Sequence, residues 1–246
     1  MCRLSSLLSD RLGTTLPVHI SRRGVGMEGK GPGVDCHQER APYSQAVFDV
    51  HDLVSTNNPV AQFQAWFAEA KACPGITEPH AMSLATCSAD GRPSVRVVLM
   101  KQIDKEGLVF YTNYDSRKGR ELEANPQAAV VFYWGPLHRQ IRVEGWVERV
   151  STEQSETYFH SRPYDSQISA SASLQSTVIA SREVLVQEMQ RLKTAHPTLI
   201  PCPPQWGGYR LIPSSYEFWQ GQSNRLHDRL VFTRQEDTWM VHRLSP

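Results

Sequence analysis

The sequence predicts a mainly β fold, an antiparallel barrel with a few helices packed against its outside. Short apolar or β-branched runs alternate with turn residues through the middle of the chain, and similar runs return near the carboxyl end. Segments with helical periodicity lie at the margins of these runs. The chain has 246 residues, 40% of them hydrophobic, which is enough for a sizeable core in one domain or two small ones.

Overall charge and composition exclude several classes of protein. The chain has 26 Lys and Arg against 25 Asp and Glu, so no global field selects nucleic acid or an anionic membrane as a partner. The longest apolar run, residues 128–134, is far shorter than the roughly 18 residues of a membrane-spanning helix. Five dispersed cysteines without a C-x-x-C pair favour a reducing compartment and predict neither a disulfide framework nor a metal site.

We expect residues 1–45 to be a disordered basic tail and residues 46–246 to form one domain. The tail is basic, rich in Ser and Thr, and too poor in apolar residues to order itself. Because a mitochondrial transit peptide has the same composition, a mitochondrial location is the alternative to the expected cytoplasmic one. A G-x-G-x-x-G at Gly24, Gly26 and Gly29 follows no strand, and Pro32 prevents a helix after it, so it predicts no dinucleotide site.

The first elements of the domain are a helix and three strands. Asn58 and Pro59 are typical of an N-cap and a first helical residue, and the apolar positions after them keep the helical period until Pro74. An Asp90-Gly91 turn signal then separates two β-rich runs, and a polar turn precedes a third. The predicted strands are 82–87, 93–100 and 108–112.

Turn signals and a cap set the bounds of the remaining elements. Asn-Pro and Gly-Pro pairs punctuate the middle of the chain. Ser151-x-x-Gln154 is a capping box that opens a helix ending before Pro163. Two other helices are predicted at 116–124 and 182–193. The remaining strands are predicted at 128–134, 139–150, 208–212, 216–219, 230–234 and 239–244.

A basic cluster at residues 116–120, S-R-K-G-R, indicates a phosphate cradle. Arg binds phosphate as a bidentate fork and Lys binds it as a point charge. Because the cluster opens a helix, it adds free backbone N–H groups and the positive end of the helix dipole. A solvated helix face carries the same residue types, so the cluster alone leaves both interpretations open.

The segment R-L-H-D-R at residues 225–229 places two arginines and a histidine at alternate positions. In an extended chain these side chains project from one side and converge on a single anionic ligand. Converged cations repel one another unless an anion or Asp228 offsets them, so the segment predicts a bound anion. Taken singly, His227 is an ordinary surface histidine and Trp219 an ordinary core residue.

A series of motifs resembles those of the pyridoxamine 5'-phosphate oxidase family, and the resemblance extends from about residue 48 to residue 246. The motifs are, in order, R-V-V-L-M-K, Y-T-N-Y-D-S-R-K-G-R-E-L, V-F-Y-W, R-Q-I-R-V-E-G, Y-F-H-S-R-P, S-Q-I, W-G-G-Y, E-F-W-Q-G-Q-S-N-R-L-H-D-R and R-L-S-P. The long motif that ends at Arg229 is the most specific. This resemblance implies an FMN-binding split β-barrel that is active as a homodimer, with two flavin sites at the subunit interface.

The resemblance also implies which residues bind the flavin. Arg96 is expected near the FMN phosphate, in a segment that lines the flavin. Tyr111, Thr112, Arg117 and Lys118 are expected to complete the phosphate and ribityl contacts. The full implied set is Arg96, Val97, Val98, Leu99, Tyr111, Thr112, Arg117, Lys118, Gln140, Gln175, Ser176, Trp219 and Arg229. The resemblance implies no metal.

The implied activity is the oxidation of pyridoxamine 5'-phosphate and pyridoxine 5'-phosphate to pyridoxal 5'-phosphate. In the family, hydride passes from substrate C4' to flavin N5, O2 reoxidises the flavin to give H2O2, and the amine substrate releases ammonia. Arg225 and His227 are implied as the catalytic residues, in contact with the pyridine ring. The residues implied for the substrate phosphate are Lys101, Tyr158, Arg162 and Ser166.

Two features of the sequence conflict with a simple transfer of the family's site. Strict alternation from Pro93 puts Arg96 and Lys101 on opposite faces of a strand, which a bulge or an early strand end would correct. The family also carries an R-x-x-Y motif that helps cover the substrate. Arg40 and Tyr43 have this spacing but lie closer to the domain and enclose Pro42, so we leave both out of the predicted site.

Two other classes of function compete with an oxidase. A non-catalytic flavin or pyridoxal phosphate carrier on the same fold would keep the phosphate ligands but lose Arg225 and His227, which this chain retains. A nucleic-acid-binding barrel would need a wider cationic and aromatic face than a near-neutral chain offers.

Overall fold

A curled antiparallel sheet dominates the part of the chain that the computed structural model describes, which is Tyr43 and residues 46–246. Its strands are β1 Ala81–Cys87, β2 Pro93–Leu99, β3 Gln102–Asp104, β4 Gly107–Asn113, β5 Gln127–Trp134, β6 Arg139–Arg149, β7 Trp206–Gln220, β8 Asp228–Gln235 and β9 Thr238–Arg243. They pair in the order β2-β1-β5-β6-β7-β4-β3, with β8 beside β7 and β9 beside β8. Apart from Tyr43, the predicted tail and its glycine motif lie outside the described residues.

Three of the predicted helices begin at side-chain caps, which satisfy their first N–H groups. The bounds of the helices are α1 Pro59–Ala72, α2 Arg117–Ala124, α3 Thr152–Ser161, α4 Tyr164–Ala172 and α5 Arg182–Ala195. The Asn58 side chain accepts from Ala61 N at 3.2 Å, and Ser151 Oγ accepts from Gln154 N at 3.1 Å. Helix α4 was not predicted, and it has no side-chain cap hydrogen bond.

Strand β7 is continuous where the sequence predicts two strands, so that prediction is wrong. Pro213 interrupts the β pattern, but the register between β6 and β7 shifts between Glu144 and Gly145, and this irregularity accommodates the proline. A Cβ atom at Gly145 would lie 2.0 Å from the Ile212 carbonyl oxygen, so the close approach requires glycine. The long strand pairs with β6 along its length, with β4 at its start and with β8 at its end.

The main core lies between the concave side of the sheet and α1. Phe63 packs 5.1 Å from Phe132, and Trp66 packs edge-on 5.4 Å from Phe218. A second, smaller core joins α3, α4 and α5 to the start of β7, and it contains Phe159, Ile168, Leu192 and Trp206. Among the described residues, no helix has the length and apolar character needed to cross a membrane.

Candidate functional site

A cavity of about 830 Å³ lies beside β2, β4 and the helices α2 to α5. Much of its lining consists of residues that the sequence analysis assigned to flavin or substrate phosphate. Those residues are Arg96, Val97, Val98, Leu99, Lys101, Tyr111, Thr112, Lys118, Tyr158, Arg162 and Gln175. The fold therefore brings together segments that are far apart in the chain. We call Arg96, Lys101, Lys118 and Arg162 the cavity cations.

Lys118 is a buried cation surrounded by neutral oxygens. Its side chain is 8% exposed and donates to Gln175 Oε1 at 2.9 Å, Thr112 Oγ1 at 3.0 Å and Ser116 Oγ at 3.3 Å. Burial, and secondarily the charge of Arg96, lower the pKa of Lys118 to about 8. A buried ammonium whose acceptors are all neutral favours a bound anion.

Arg96 is held at the end of the cavity by four acceptors. Its Nη1 donates to Thr86 Oγ1 at 2.6 Å and to the Leu84 carbonyl at 3.1 Å, and its Nη2 donates to Ser94 Oγ and, at 3.3 Å, to Glu121 Oε2. Burial lowers the pKa of Arg96, and the charge of Glu121 opposes this effect.

Glu121 is a buried carboxylate that the sequence analysis missed. Its Oε1 accepts from Arg117 Nε at 2.8 Å, one turn earlier on α2. Burial alone would raise the pKa of Glu121, but hydrogen bonds from Ser94, Thr86 and Arg117 outweigh burial and lower it to about 2. The i,i+4 spacing of Arg117 and Glu121 was the available signal in the sequence.

The end of β2 removes the conflict between Arg96 and Lys101. The strand ends at Leu99, and the Lys101 backbone N–H donates to the Val109 carbonyl at 2.8 Å. Lys101 therefore lies beyond the alternating part of β2, and it lines the same cavity as Arg96. Of the two explanations that the sequence left open, the early strand end is the one observed.

An aromatic wall supports Arg162 at the other side of the cavity. Tyr111 stacks 4.0 Å from Tyr158 and 5.5 Å from Trp206, and the Arg162 guanidinium lies 4.9 Å from the Trp206 ring. Arg162 Nη2 donates to the Ser166 carbonyl at 2.9 Å. Its Nη1 is buried and has no hydrogen-bond partner among the described residues, and burial lowers the pKa of this guanidinium. A phosphate oxygen is a suitable acceptor for that nitrogen.

Arg117, Ser166 and Ser176 stand near the cavity but do not line it in the described structure. The Arg117 side chain is 60% exposed and pairs with Glu121. Ser166 contributes its carbonyl oxygen to Arg162. Ser176 follows Gln175 with a φ of 71°, a left-handed conformation in an exposed turn.

A second group of predicted flavin residues lies in one row across three strands. Gln140 on β6 pairs with Trp219 on β7, and Trp219 pairs with Arg229 on β8. Directly opposed residues on neighbouring strands point to the same face of a sheet, so these three side chains are neighbours. We call them the outer row. They do not contribute to the lining of the cavity in the described chain.

Glu217 holds Arg229 in the outer row. Arg229 Nε and Nη2 donate to the two Glu217 carboxylate oxygens at 2.8 and 3.1 Å, and Arg142 Nη1 donates to the same carboxylate at 3.0 Å. The hydrogen bond that Arg229 donates to Glu217 raises the pKa of Arg229. The Arg229 Nη1 group also donates to the Ser245 carbonyl at 2.9 Å. The sequence analysis missed Glu217 because the register of β6, β7 and β8 brings the three residues together.

The prediction that residues 225–229 are extended is wrong for Arg225. Ser223–Arg225 form a 3₁₀ turn, and Arg225 has a φ of 65° and is exposed. Regular β structure begins only at Asp228. His227 lies 4.8 Å from the Trp219 ring, and its Nδ1 accepts from Gln222 N at 3.0 Å. Burial and the charge of Arg225 lower the pKa of His227.

The Asp228 carboxylate bonds to groups outside the R-L-H-D-R segment, although its charge also opposes that of Arg225 at His227. Its carboxylate accepts from Arg243 Nη1 at 2.8 Å, from Gln222 Nε2 at 2.8 Å and from the Phe48 backbone N–H at 2.9 Å. Asp228 therefore ties β9 and the start of the domain to the turn that carries Arg225.

Tyr43, which we left out of the predicted site, lies beside Trp219 of the outer row and beside His227. Its ring is 4.4 Å from His138, 5.8 Å from His227 and 6.3 Å from Trp219. The R-x-x-Y spacing was the signal for this residue. Arg40, the other residue of that motif, lies outside the described residues.

Comparisons with known proteins agree with this geometry. The profile of a family described as pyridoxamine 5'-phosphate oxidase matches residues 68–196, and that of a pyridoxine 5'-phosphate oxidase C-terminal dimerisation region matches residues 206–246. The pyridoxine/pyridoxamine 5'-phosphate oxidase of Burkholderia lata is 52% identical over 210 residues, which cover 84% of this chain and 97% of the relative. The pyridoxine-5'-phosphate oxidase of Bos taurus is 47% identical over 244 residues, covering 93% and 91%.

Solved structures match the fold. PhzG from Burkholderia lata, in complex with tetrahydrophenazine-1-carboxylic acid, superposes with a TM-score of 0.76 at 34% identity, covering 82% of this chain and 98% of that one. A pyridoxamine 5'-phosphate oxidase-related, FMN-binding protein from Nostoc punctiforme has a TM-score of 0.61 at 15% identity, covering 77% and 98%. From the profile matches and the identity to curated relatives, the chain belongs to the pyridoxine/pyridoxamine 5'-phosphate oxidase family of oxidoreductases, which carry FMN on a split β-barrel.

Proposed function

We propose that the protein oxidises pyridoxamine 5'-phosphate and pyridoxine 5'-phosphate to pyridoxal 5'-phosphate, with O2 as the electron acceptor. The reaction yields H2O2, and the amine substrate also yields ammonia. The observation that carries this proposal is a cavity lined by Arg96, Lys101, Lys118 and Arg162, in which the acceptors of buried Lys118 among the described residues are all neutral. Four cations around one cavity fit two phosphorylated molecules better than they fit a neutral ligand.

The residues present fit the phosphate of FMN at one end of the cavity. Lys118 and Arg96 provide the charge, and Thr112 and Gln175 already hold the Lys118 ammonium in place. Val97, Val98 and Leu99 provide an apolar edge for the ring system. When bound, FMN would supply the two-electron redox chemistry of the reaction.

The other end of the cavity suits the substrate phosphate. Arg162 offers its unpaired Nη1, and Lys101 lines the same cavity. Together with Tyr158 and Ser166, they would fix the substrate so that its reacting carbon faces the flavin. Orientation of this kind lowers a barrier by roughly 7–11 kcal/mol at its upper range.

His227 would present a hydrogen-bond donor to the pyridine ring. Because its Nδ1 accepts from the Gln222 backbone N–H, the neutral imidazole carries its proton on Nε2. Arg225, two residues away, would add a positive charge on the same side of the substrate. These two residues are the proposed catalytic pair.

A second copy of the chain would bring the outer row and the catalytic pair to the cavity. Trp219, Arg225, His227 and Arg229 all fall in residues 206–246, the region matched by the dimerisation profile, and Gln140 is the strand neighbour of Trp219. In a symmetric dimer each copy would complete the site of the other, giving two equivalent sites.

The test is the visible spectrum of the purified protein with bound FMN. Anaerobic addition of pyridoxamine 5'-phosphate should bleach the flavin absorbance, and readmitting O2 should restore it with release of H2O2. Pyridoxamine without phosphate, at the same concentration, should bleach it far less, since Lys101 and Arg162 would then have no ligand. Flavin that binds but never bleaches would instead identify a non-catalytic carrier.

A further inference from the structure

We propose that Glu121 is a positioning residue that fixes Arg96 and Arg117 in the geometry needed to bind the FMN phosphate. The inference rests on the proposed function, because it assigns a role in the same phosphate site. Glu121 is not itself expected to touch the cofactor. It acts through the two arginines that flank Lys118.

The contacts of Glu121 connect three elements of the fold. Its Oε2 accepts from Thr86 Oγ1 on β1 and from Ser94 Oγ on β2, and its Oε1 accepts from Arg117 Nε on α2 at 2.8 Å. Thr86 and Ser94 are directly opposed in the β1–β2 ladder. The carboxylate therefore joins the start of α2 to the edge of the sheet that carries Arg96.

This network restrains the Arg96 guanidinium almost completely. Each of its Nη atoms has two acceptors, and two of these acceptors, Thr86 Oγ1 and Ser94 Oγ, also donate to Glu121. Immobilising a long side chain before the ligand arrives removes an entropic cost from binding. Glu121 thus preorganises Arg96 directly and through two hydroxyl groups.

The charge of Glu121 also suits a phosphate monoester. Arg96, Arg117 and Lys118 bring three positive charges and Glu121 brings one negative charge, so the group carries a net charge of +2 when Lys118 is protonated. A phosphate monoester carries about −1.5 to −2 at neutral pH. Without Glu121 the three cations would repel one another with no fixed anion between them.

The experiment compares FMN with riboflavin, which has the same ring system and ribityl chain but no phosphate. Dissociation constants for both are measured on the apoprotein by quenching of flavin fluorescence. The variants are Glu121→Gln and, as a matched control on the same helix, Glu123→Gln. Glu123 is 67% exposed and pairs with Arg149 at 2.8 Å, so its replacement should change neither constant.

Wild-type protein should bind FMN more tightly than riboflavin, and Glu121→Gln should weaken FMN by about tenfold or more, the loss expected for a charge-assisted hydrogen bond. Riboflavin affinity should stay within about twofold of wild type, since only the phosphate contacts are lost. Equal losses for both ligands would show a merely structural role and overturn the inference, as would unchanged or tighter FMN binding. A wild-type protein with no preference for FMN would contradict the proposed phosphate site itself.

A second variant keeps the inference testable if Glu121→Gln does not fold. Ser94→Ala retains the charge of Glu121 but removes one hydroxyl that links it to Arg96. It should reduce the preference for FMN over riboflavin by a smaller factor than Glu121→Gln, with an unchanged thermal unfolding curve. An unchanged preference in a folded Ser94→Ala protein would contradict the role of this network.

Discussion

The cavity cations and the outer row are built in different ways, although both are assigned to one active site, the cavity cations to the phosphates of flavin and substrate and the outer row to the flavin. Lys118 is buried among neutral oxygens, and Arg162 Nη1 is buried without a partner among the described residues, so these two cations lack a negatively charged partner there. In the outer row, Arg229 is instead paired with Glu217 and with the Ser245 carbonyl. Lys118 and Arg162 in the cavity are therefore available to bind anions, whereas the charge of Arg229 in the outer row is already balanced by Glu217. In the proposed dimer, the outer row of one copy would meet the cavity of the other.

Hybrid dimers should give the largest effect, because they test whether one site uses both chains. Lys118→Met and Arg229→Ala are each expected to lose most FMN and activity as homodimers. In a mixed dimer one site carries both changes and the other carries none, so about half of the wild-type activity per dimer should return. Differently tagged subunits are co-expressed, purified by both tags and assayed. Mixed dimers that stay inactive would place both groups in one chain's site.

Replacing the two arginines of the R-L-H-D-R segment should affect different properties, catalysis for Arg225 and FMN retention for Arg229. Arg225→Ala should reduce kcat/KM by about a hundredfold, on the order of a lost charge-assisted contact, with nearly normal flavin content. Arg229→Ala should mainly weaken FMN retention, because Arg229 stands in the outer row beside Trp219. The ratio of flavin absorbance to protein absorbance, measured with the activity, separates the two. Equal flavin loss in both variants would refute this division of roles.

Binding of FMN to the apoprotein should weaken above pH 8. The anion favours protonated Lys118, whose pKa is about 8 without ligand, so binding takes up a proton only above that pH. Affinity should be constant below pH 8 and fall by up to about tenfold per pH unit above it. Titrations between pH 7 and pH 9.5 check this, with riboflavin as the control that lacks the phosphate. A flat FMN profile would show that Lys118 does not face the phosphate.

Of the four predicted effects, that of Glu217→Gln on FMN affinity should be the smallest. Arg229 would lose one charged partner but keep the Ser245 carbonyl, so FMN affinity should fall by only a few fold. Glu144→Gln is the matched control, because Glu144 is 48% exposed and pairs with Arg142 but not with Arg229. Flavin retention after gel filtration distinguishes the two variants. A loss as large as that of Arg229→Ala would mean that Glu217 alone fixes the arginine.

The sequence predicted the strand-rich middle of the chain and the capped helices well, because their signals are local. Asn58, Ser116 and Ser151 accept the hydrogen bonds expected of N-caps. Tertiary pairing decided the rest. Pro213 stays within β7 because of the irregular register beside Gly145, and Lys101 reaches the cavity because β2 ends at Leu99. Neither the irregular register at Gly145 nor the end of β2 at Leu99 can be predicted from a local sequence pattern.

The candidate site shows the same division between local and tertiary signals. Most of the residues implied by the family resemblance line the cavity or lie in the outer row. The carboxylates that hold them, Glu121 and Glu217, were missed because their partners lie on other elements or on neighbouring strands. Arg225 lies in a 3₁₀ turn and not in an extended strand. This turn is stabilised by hydrogen bonds from Gln222 to His227 and Asp228, which the sequence pattern does not reveal.

Burial of the Lys118 ammonium among neutral oxygens opposes folding, so an anion that binds there should also stabilise the native state. At a free concentration a hundred times its dissociation constant, a ligand of the native state adds about 2.7 kcal/mol to stability. FMN should therefore raise the thermal unfolding temperature of the apoprotein, and riboflavin, which lacks the phosphate, should raise it less.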